Sequence, residues 1–181
     1  MSKVYDYCPQ SVMERVEALV EKHHQDLKIA EVKFDLMFVS RSDDDEGTKP
    51  VLTLHGVPCL AIVRIVPLKE RAKGCGDAEI LIDRDRYNDS APEQQDALLD
   101  HELQHLEVQR GEDNSIKTDD QHRPKLKMRP HDYDFGWFEC IARRHGKDSI
   151  EVQQARLMFD QHGHSLFPFA AWAESTSETE G

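Results

Sequence analysis

The sequence predicts an α+β fold in which a small, mostly antiparallel sheet packs against helices. Short β-rich runs with close spacing occupy the first half of the chain, whereas longer runs with helical periodicity occupy the second half. The 181 residues fit one domain, and a hydrophobic fraction of 38% is enough for a sizeable core. We therefore expect a single domain over residues 1–173, followed by a disordered acidic tail over residues 174–181.

The first half is predicted to begin with a helix and to continue with strands. Val12, Val16, Leu19 and Val20 fall on one stripe at 3.6-residue spacing, which predicts a helix over residues 9–27. Polar or charged loops are expected at residues 42–50 and 69–76. Close spacing favours antiparallel pairing of the strand candidates, which are Val32–Phe38, Val51–His55, Leu60–Val66 and Ala78–Asp83.

The second half contains the best-marked helix of the chain. Ser90 can cap its start, Glu93 can complete a capping box, and Pro92 suits the first turn. Gly111 is the expected C-terminal stop of this helix. Residues 112–130 show little periodicity and are predicted to form a long connection, which is often functional or mobile. Two more helices are expected at Tyr133–Arg144 and Ser149–Gln161.

Charge and composition exclude several classes of partner. The 35 acidic and 23 basic residues give a formal charge of −12, which repels nucleic acids and anionic membranes. The short basic clusters at residues 123–129 and 143–144 are interpreted as solvated surface. No apolar run approaches the roughly 20 residues that span a bilayer. We expect neither a nucleic acid nor a membrane partner.

The cysteines and the N-terminus favour a reducing cytoplasm. The four cysteines form no CxxC pair, which argues against a disulfide framework and a zinc ribbon. The first residues lack the apolar core of a signal peptide. Cys75, between two glycines, is interpreted as a tolerated turn residue rather than a metal ligand or a regulatory thiol. A cytoplasmic location is therefore expected.

The motif His101-Glu102-Leu103-Gln104-His105 carries the chemistry that the sequence predicts. On a helix, histidines four residues apart lie on one face, where both can bind a single metal ion. Glu102 is too close in sequence to be a third ligand, but it can take a proton from a metal-bound water. The pattern favours one Zn²⁺ and a hydrolase with Glu102 as general base. The alternative is a solvated helix surface that carries two histidines.

A catalytic zinc site needs a third protein ligand and an open position for water. We favour His131, because it precedes a predicted helix start and would be held firmly there. Asp134 and Glu139 remain alternatives, while Asp132 is a candidate to orient a ligand. His122 is interpreted as a solvated loop residue, although it also remains open as a ligand.

Three segments together resemble a known family: Ala97–His105, Arg129–Glu139 and Arg144–Gly146. They are similar to phage metallopeptidases and, more widely, to SprT-like minimal zinc proteases. The resemblance implies that His101, His105 and His131 bind one zinc ion and that Glu102 is the catalytic acid/base. It also implies that Phe135 and Phe138 are core residues of the helix that carries the last ligand. Because no zinc ribbon follows and the chain is acidic, a DNA-repair role is not implied.

Several polar residues outside the motif have alternative interpretations. Tyr133, Arg129 and His145 are candidate transition-state donors, although packing at a helix start is the preferred interpretation of Tyr133. His23 and His24 are interpreted as an exposed helix end, since no acidic or cysteine partner lies at ligand spacing.

The residues favour a zinc metallopeptidase that acts on protein or peptide substrates in the cytoplasm, which would be that of a bacterial host if the chain is phage-encoded. Two alternatives stay open. One is an acidic, phage-type interaction protein that binds a host factor and carries a structural or inactive zinc site. The other is a zinc hydrolase whose substrate is not a peptide, because the motif sets water activation and the cleft sets the substrate.

Overall fold

The computed structural model describes residues 3–42, 51–54, 57–131 and 137–162. Its first half contains, in chain order, β1 (Lys3–Tyr7), α1 (Gln10–His23), α2 (Gln25–Ile29), β2 (Phe34–Arg41), β3 (Leu52–Leu54), β4 (Val57–Cys59), β5 (Ala61–Ile65), α3 (Leu68–Arg71) and β6 (Ala78–Asp83). Its second half contains α4 (Arg84–Asp89), α5 (Pro92–Gln104), β7 (Leu106–Val108), β8 (Leu126–Met128), α6 (Glu139–His145), a 3₁₀ turn (Gly146–Asp148) and α7 (Ile150–His162). The predicted α+β class is confirmed.

A four-stranded sheet forms the centre of the fold, with the strand order β1-β2-β6-β5. β1 pairs antiparallel with β2, and β5 pairs antiparallel with β6, whereas β2 and β6 run parallel. Two small antiparallel pairs, β3 with β4 and β7 with β8, accompany this sheet. The prediction of a small, mostly antiparallel sheet is therefore confirmed.

The core lies between one face of this sheet and the helices α1 and α5. In strand β6 every second residue from Ala78 to Ile82 faces the core, and Ala78, Ile80 and Ile82 are fully buried. Leu99 and Leu103 of α5 are also fully buried. The apolar stripe of α1 is buried too, and it consists of Val12, Val16, Leu19 and Val20. Helix α5 is thus buried over its second half, from Ala97 to Leu103, which makes this part a rigid support for the polar residues that it carries.

The end of α5 differs from the prediction that placed it near Gly111. The helix ends at Gln104, and the N–H of His105 donates to the carbonyl of Glu102 in a tightened last turn. Leu106–Val108 then pairs with Leu126–Met128 as β7 and β8. The backbone groups of Leu106–Val108 therefore form strand hydrogen bonds with a distant segment instead of continuing the helix.

The start of α5 also differs from the prediction. Ala91 is the N-cap, and its N–H donates to Oε1 of Gln94, so only one half of a capping box forms. The hydroxyl of Ser90 instead donates to the carbonyl of Arg86 at the end of α4. Pro92 is the first helical residue, as expected.

Several elements were missed or misplaced by the sequence patterns. Strand β1 and helices α3 and α4 were not expected, and β3 pairs with β4 rather than with β5. Helix α6 begins at Glu139, and Phe138 before it is extended with φ −105° and ψ 112°, so the predicted helix Tyr133–Arg144 is not continuous. His131 lies in the segment after β8, and residues 132–136, where the helix was expected to begin, lie outside the described residues. His55, most of the predicted loop at 42–50, and the predicted tail at 174–181 lie outside the described residues.

The predicted long connection at residues 112–130 is more regular than its composition indicated. Isolated bridges join Arg110 to Ile116 and Thr118 to Pro124, and β8 closes the segment. The N–H of Lys117 donates to the carbonyl of Gln109, and the N–H of Gln109 donates to the carbonyl of Lys125. Backbone pairing of this kind is set by tertiary contacts and leaves no apolar periodicity in the sequence.

A buried ion-pair cluster anchors this segment, which corrects the prediction that residues 123–129 are all solvated surface. Arg71 contacts Asp77 and Asp119, which are both buried. Arg123 donates from Nε to Oδ1 of Asp77 at 2.9 Å, and its side chain is only 17% exposed. The positive charges of the two guanidinium groups offset the negative charges of the two buried carboxylates.

In the described part of the chain, no helix has the length and apolar character needed to cross a bilayer.

Candidate metal centre

Three imidazoles converge at the C-terminal end of α5. One ring nitrogen from each of His101, His105 and His131 lies within 4.8 Å of the others. His101 belongs to the last turn of α5, His105 follows the helix directly, and His131 lies three residues after β8. The Nε2 atoms of His101 and His131 are 3.2 Å apart. The structure therefore brings together the motif histidines and the third histidine favoured from the sequence.

His105 is held by a reciprocal pair of hydrogen bonds with the backbone of Arg129. Its Nδ1 is 2.8 Å from the carbonyl oxygen of Arg129, which can only accept, so Nδ1 is the donor. The N–H of Arg129 in turn donates to the carbonyl of His105 at 2.7 Å. This pair of hydrogen bonds joins the end of α5 to the end of β8. It therefore places His131, two residues after Arg129, close to the motif histidines.

The electrostatic environment keeps His105 neutral. Burial lowers the pKa of His105 to about 4, and the nearby His101, His131 and Arg129 add to this effect against the opposing backbone hydrogen bond. At neutral pH the Nε2 atom, opposite the donating Nδ1, therefore carries a lone pair that is available to a metal ion.

His101 makes its second contact with a carboxylate from a distant helix. Its Nδ1 is 2.8 Å from Oε1 of Glu151 in the first turn of α7. Burial alone would lower the pKa of His101, but the hydrogen bond to Glu151 and the nearby carboxylates raise it on balance.

Glu102 is buried beside the three histidines, with a relative exposure of 5%. Burial raises its pKa, while the charge of His101 and a hydrogen bond from the backbone N–H of Val63 in β5 oppose that shift. A carboxylate with a raised pKa is a stronger base than one in water. The contact with Val63 also ties the motif helix to the edge strand of the central sheet.

Phe138 packs against all three imidazoles. Its ring centroid lies 5.1 Å from His101, 4.9 Å from His105 and 5.0 Å from His131, and its side chain is fully buried. The guanidinium of Arg129 lies 5.4 Å from the centroid of the same ring. Phe138 therefore gives the three imidazoles a common apolar support, in agreement with the expectation that it is a core residue.

The donor set fits a divalent transition metal. Two ligands about 2.0–2.1 Å from a tetrahedral zinc ion are separated by about 3.3 Å, close to the 3.2 Å between the Nε2 atoms of His101 and His131. Imidazole is also a usual ligand for copper, iron and nickel, so the geometry by itself indicates a metal site rather than one element.

A comparison with protein families matches residues 5–160 to the model described as "Putative phage metallopeptidase". The chain belongs to this family. A similarity to SprT-like proteases, inferred from the motif residues, stays a prediction. No curated protein and no solved structure matches the chain significantly.

Two other candidate ligands of this phage metallopeptidase family member, His122 and Glu139, lie outside the group of three histidines. His122 is exposed in a turn with φ 61°. Glu139 instead accepts hydrogen bonds from Arg143 and Trp137, which together with the charge of Arg143 lower its pKa. Asp132, Tyr133, Asp134 and Phe135 lie outside the described residues, so their predicted roles stay predictions.

A second cluster surrounds Asp100, the residue before His101. Asp100 is fully buried and accepts hydrogen bonds from His24 at 2.6 Å, from Arg144 at 2.7 Å and from His145 at 2.8 Å. The prediction that His24 belongs to an exposed helix end is therefore wrong. His145, a candidate transition-state donor, is directed to Asp100 instead.

The sequence patterns missed both Glu151 and Asp100 as partners of histidines. These contacts with histidines span 45 to 76 residues along the chain, and neither carboxylate lies at a recognisable ligand spacing. The only local signal is that a charged residue occupies a buried position of a helix, which requires the tertiary structure to be recognised.

Proposed function

We propose that the chain is a zinc-dependent peptidase in which His101, His105 and His131 hold one zinc ion. The observation that carries this proposal is the convergence of three imidazole nitrogens within 4.8 Å beside a buried carboxylate. Membership of a family described as metallopeptidases supports the reaction class. The proposed substrates are proteins or peptides, and a cytoplasmic location remains part of the proposal.

Glu102 is the proposed general base. When bound, zinc supplies a Lewis acid that polarises the scissile carbonyl and lowers the pKa of a water molecule towards about 7. The Glu102 carboxylate accepts the proton of the attacking water and then donates it to the leaving amine. Its burial and the hydrogen bond from Val63 hold it in place for both transfers.

The second proposed role of the fold is to keep the ligands in their metal-binding form. The carbonyl of Arg129 accepts from Nδ1 of His105, which leaves Nε2 free of a proton. Phe138 limits the rotation of all three rings through direct packing. Ligands that are oriented before the metal arrives lose little entropy when they bind it.

The variant Glu102→Gln tests the function because it preserves size and removes the base. We expect it to bind zinc with the stoichiometry of the wild type, one ion per chain, and to lose hydrolysis of a fluorogenic peptide library by at least about 100-fold. Glu107→Gln is the matched control, because Glu107 is half exposed on β7 and pairs with Lys127. It should retain both properties.

Two results would contradict the proposal. Undiminished hydrolysis in zinc-loaded Glu102→Gln would remove Glu102 from the mechanism. A wild-type protein that binds zinc through the three histidines but cleaves no library peptide would instead support a structural site or a non-peptide substrate.

A further inference from the structure

Glu151 is a fully buried carboxylate that no feature of the motif predicts. It lies in the first turn of α7, 50 residues after His101, and its Oε1 is 2.8 Å from Nδ1 of His101. Helix α7 itself packs against α5 and α6. The helix that places Glu151 beside His101 therefore carries none of the three histidines of the candidate metal centre.

The contact decides which nitrogen of His101 carries a proton. A neutral imidazole exists as two tautomers, and an ionised carboxylate can only accept a hydrogen bond. Glu151 therefore selects the form with the proton on Nδ1. Nε2 of His101 then presents a lone pair at 3.2 Å from Nε2 of His131. In the other tautomer, the proton on Nε2 would have to leave before a metal ion could bind.

The hydrogen bonding of Glu151 is unusual for a purely structural carboxylate. Its Oε2 is buried and has no hydrogen-bond partner among the described residues. Apolar residues of similar size commonly stabilise a core as well as or better than a buried charge, and a half-satisfied charge is costlier still. The hydrogen bond between Oε1 and Nδ1 of His101 gives a reason for a carboxylate at this buried position.

We propose that Glu151 is a positioning residue that sets the tautomer and ring orientation of His101 for metal binding. The part that concerns zinc rests on the proposed function, whereas the part that concerns the tautomer applies to the metal-free protein. Carboxylates that accept from the far nitrogen of a metal-bound histidine typically change metal affinity by 10- to 100-fold.

Nitrogen-15 NMR of the histidine rings in the metal-free, full-length protein at pH 8 is the first measurement. We expect the wild type to show His101 with its proton on Nδ1. Glu151→Gln and Glu151→Leu should redistribute the proton towards Nε2, because the amide can also donate to Nδ1 and leucine offers no acceptor. A wild-type His101 protonated on Nε2 would overturn the proposal without any variant.

Zinc affinity, measured by competition with a chromophoric chelator, is the second measurement. Glu151→Gln should weaken zinc binding by about 10- to 100-fold. Ser149→Ala is the control, because the Ser149 hydroxyl accepts from the N–H of Val152 at the start of α7 and does not contact His101. It should lower the melting temperature and leave both the tautomer and the zinc affinity within about twofold of the wild type.

The outcomes separate this inference from the proposed function. If Glu151→Gln retains wild-type affinity, or if Ser149→Ala loses as much affinity, Glu151 is not a positioning residue although the peptidase proposal stands. If the wild type fails to bind zinc but shows His101 protonated on Nδ1, the peptidase proposal fails and the tautomer role stands.

Discussion

Asp100 and His101, which are neighbours on α5, each take part in a carboxylate–histidine contact. The two contacts differ in how many hydrogen bonds the carboxylate oxygens accept. Asp100 accepts from His24, Arg144 and His145, so both of its oxygens are bonded. On the other side, His101 contacts one oxygen of Glu151, while the second oxygen has no partner among the described residues. Both carboxylates are fully buried.

The difference separates a structural contact from one that serves a site. The partners of Asp100 come from the ends of α1 and α6, and together they fasten three helices at one point. The imidazole of His101 instead keeps its second nitrogen directed towards two other histidines. The hydrogen-bonded network of Asp100 stabilises the fold, whereas the contact between Glu151 and His101 leaves Nε2 of His101 available for a ligand.

The largest expected effect comes from removing the structural carboxylate. Asp100→Ala leaves His24, Arg144 and His145 without their acceptor, so we expect the free energy of unfolding to fall by about 3–5 kcal/mol. Urea denaturation of the metal-free protein measures this loss. A loss below about 1 kcal/mol would show that the Asp100 network does not hold the helices together.

The next effect concerns the site itself. Zinc at 100 times its Kd should raise the free energy of unfolding by about 2.7 kcal/mol, because it binds only the folded state. His131→Ala should lose most of this gain, since it removes one of the three converging nitrogens. Thermal unfolding with and without zinc provides the measurement.

His122→Asn is the control for that experiment. His122 is exposed, and asparagine tolerates its positive φ of 61°. This variant should keep the full zinc-dependent gain in stability. An equal gain in His131→Ala would mean that His131 is not a ligand.

A third prediction concerns the pH dependence of the Asp100 network. Burial would raise the pKa of Asp100, but hydrogen bonds from His145, His24 and Arg144 hold it well below its ordinary value. Because the folded pKa lies below the unfolded value of about 3.9, the stabilisation is complete above that value and is lost as pH falls below it.

The variant Asp100→Asn isolates this effect. At pH 7 it should be less stable than the wild type by about 2 kcal/mol, the usual size for hydrogen bonds to a charged group. Denaturation of the metal-free proteins from pH 7 to pH 3 should show this gap closing in the acid range. A gap that stays constant would mean that the carboxylate charge is not what the network uses.

The smallest expected effect concerns the exposed ion pair of α6. Glu139 and Arg143 lie on the solvent side of this helix, whereas Arg144 of the next position reaches Asp100. Arg143→Ala should leave the denaturation midpoint and the zinc affinity unchanged, because exposed pairs contribute little. A clear loss of stability would mean that α6 is anchored by its surface pair as well as by Asp100.

The sequence determined a large part of the site because the motif is local. Histidines four residues apart share one helix face wherever that helix lies, and the start of α5 at Pro92 was marked by turn and helix-start residues. Burial of the apolar stripe on α1 also followed from periodicity. The choice of His131 came from its position before a predicted helix start and from the family resemblance, and the residues that directly follow it, 132–136, lie outside the described residues.

Only the tertiary structure decided the contacts that orient these residues. The end of α5 at Gln104 depends on β7 pairing with a strand some 20 residues later, and the bond between His105 and Arg129 depends on the same pairing. Glu151 and Asp100 contact histidines that are distant in sequence, so no local pattern records them. The physical reason is that helix periodicity is a property of neighbouring residues, whereas the partner of a buried charge is set by which helices pack together.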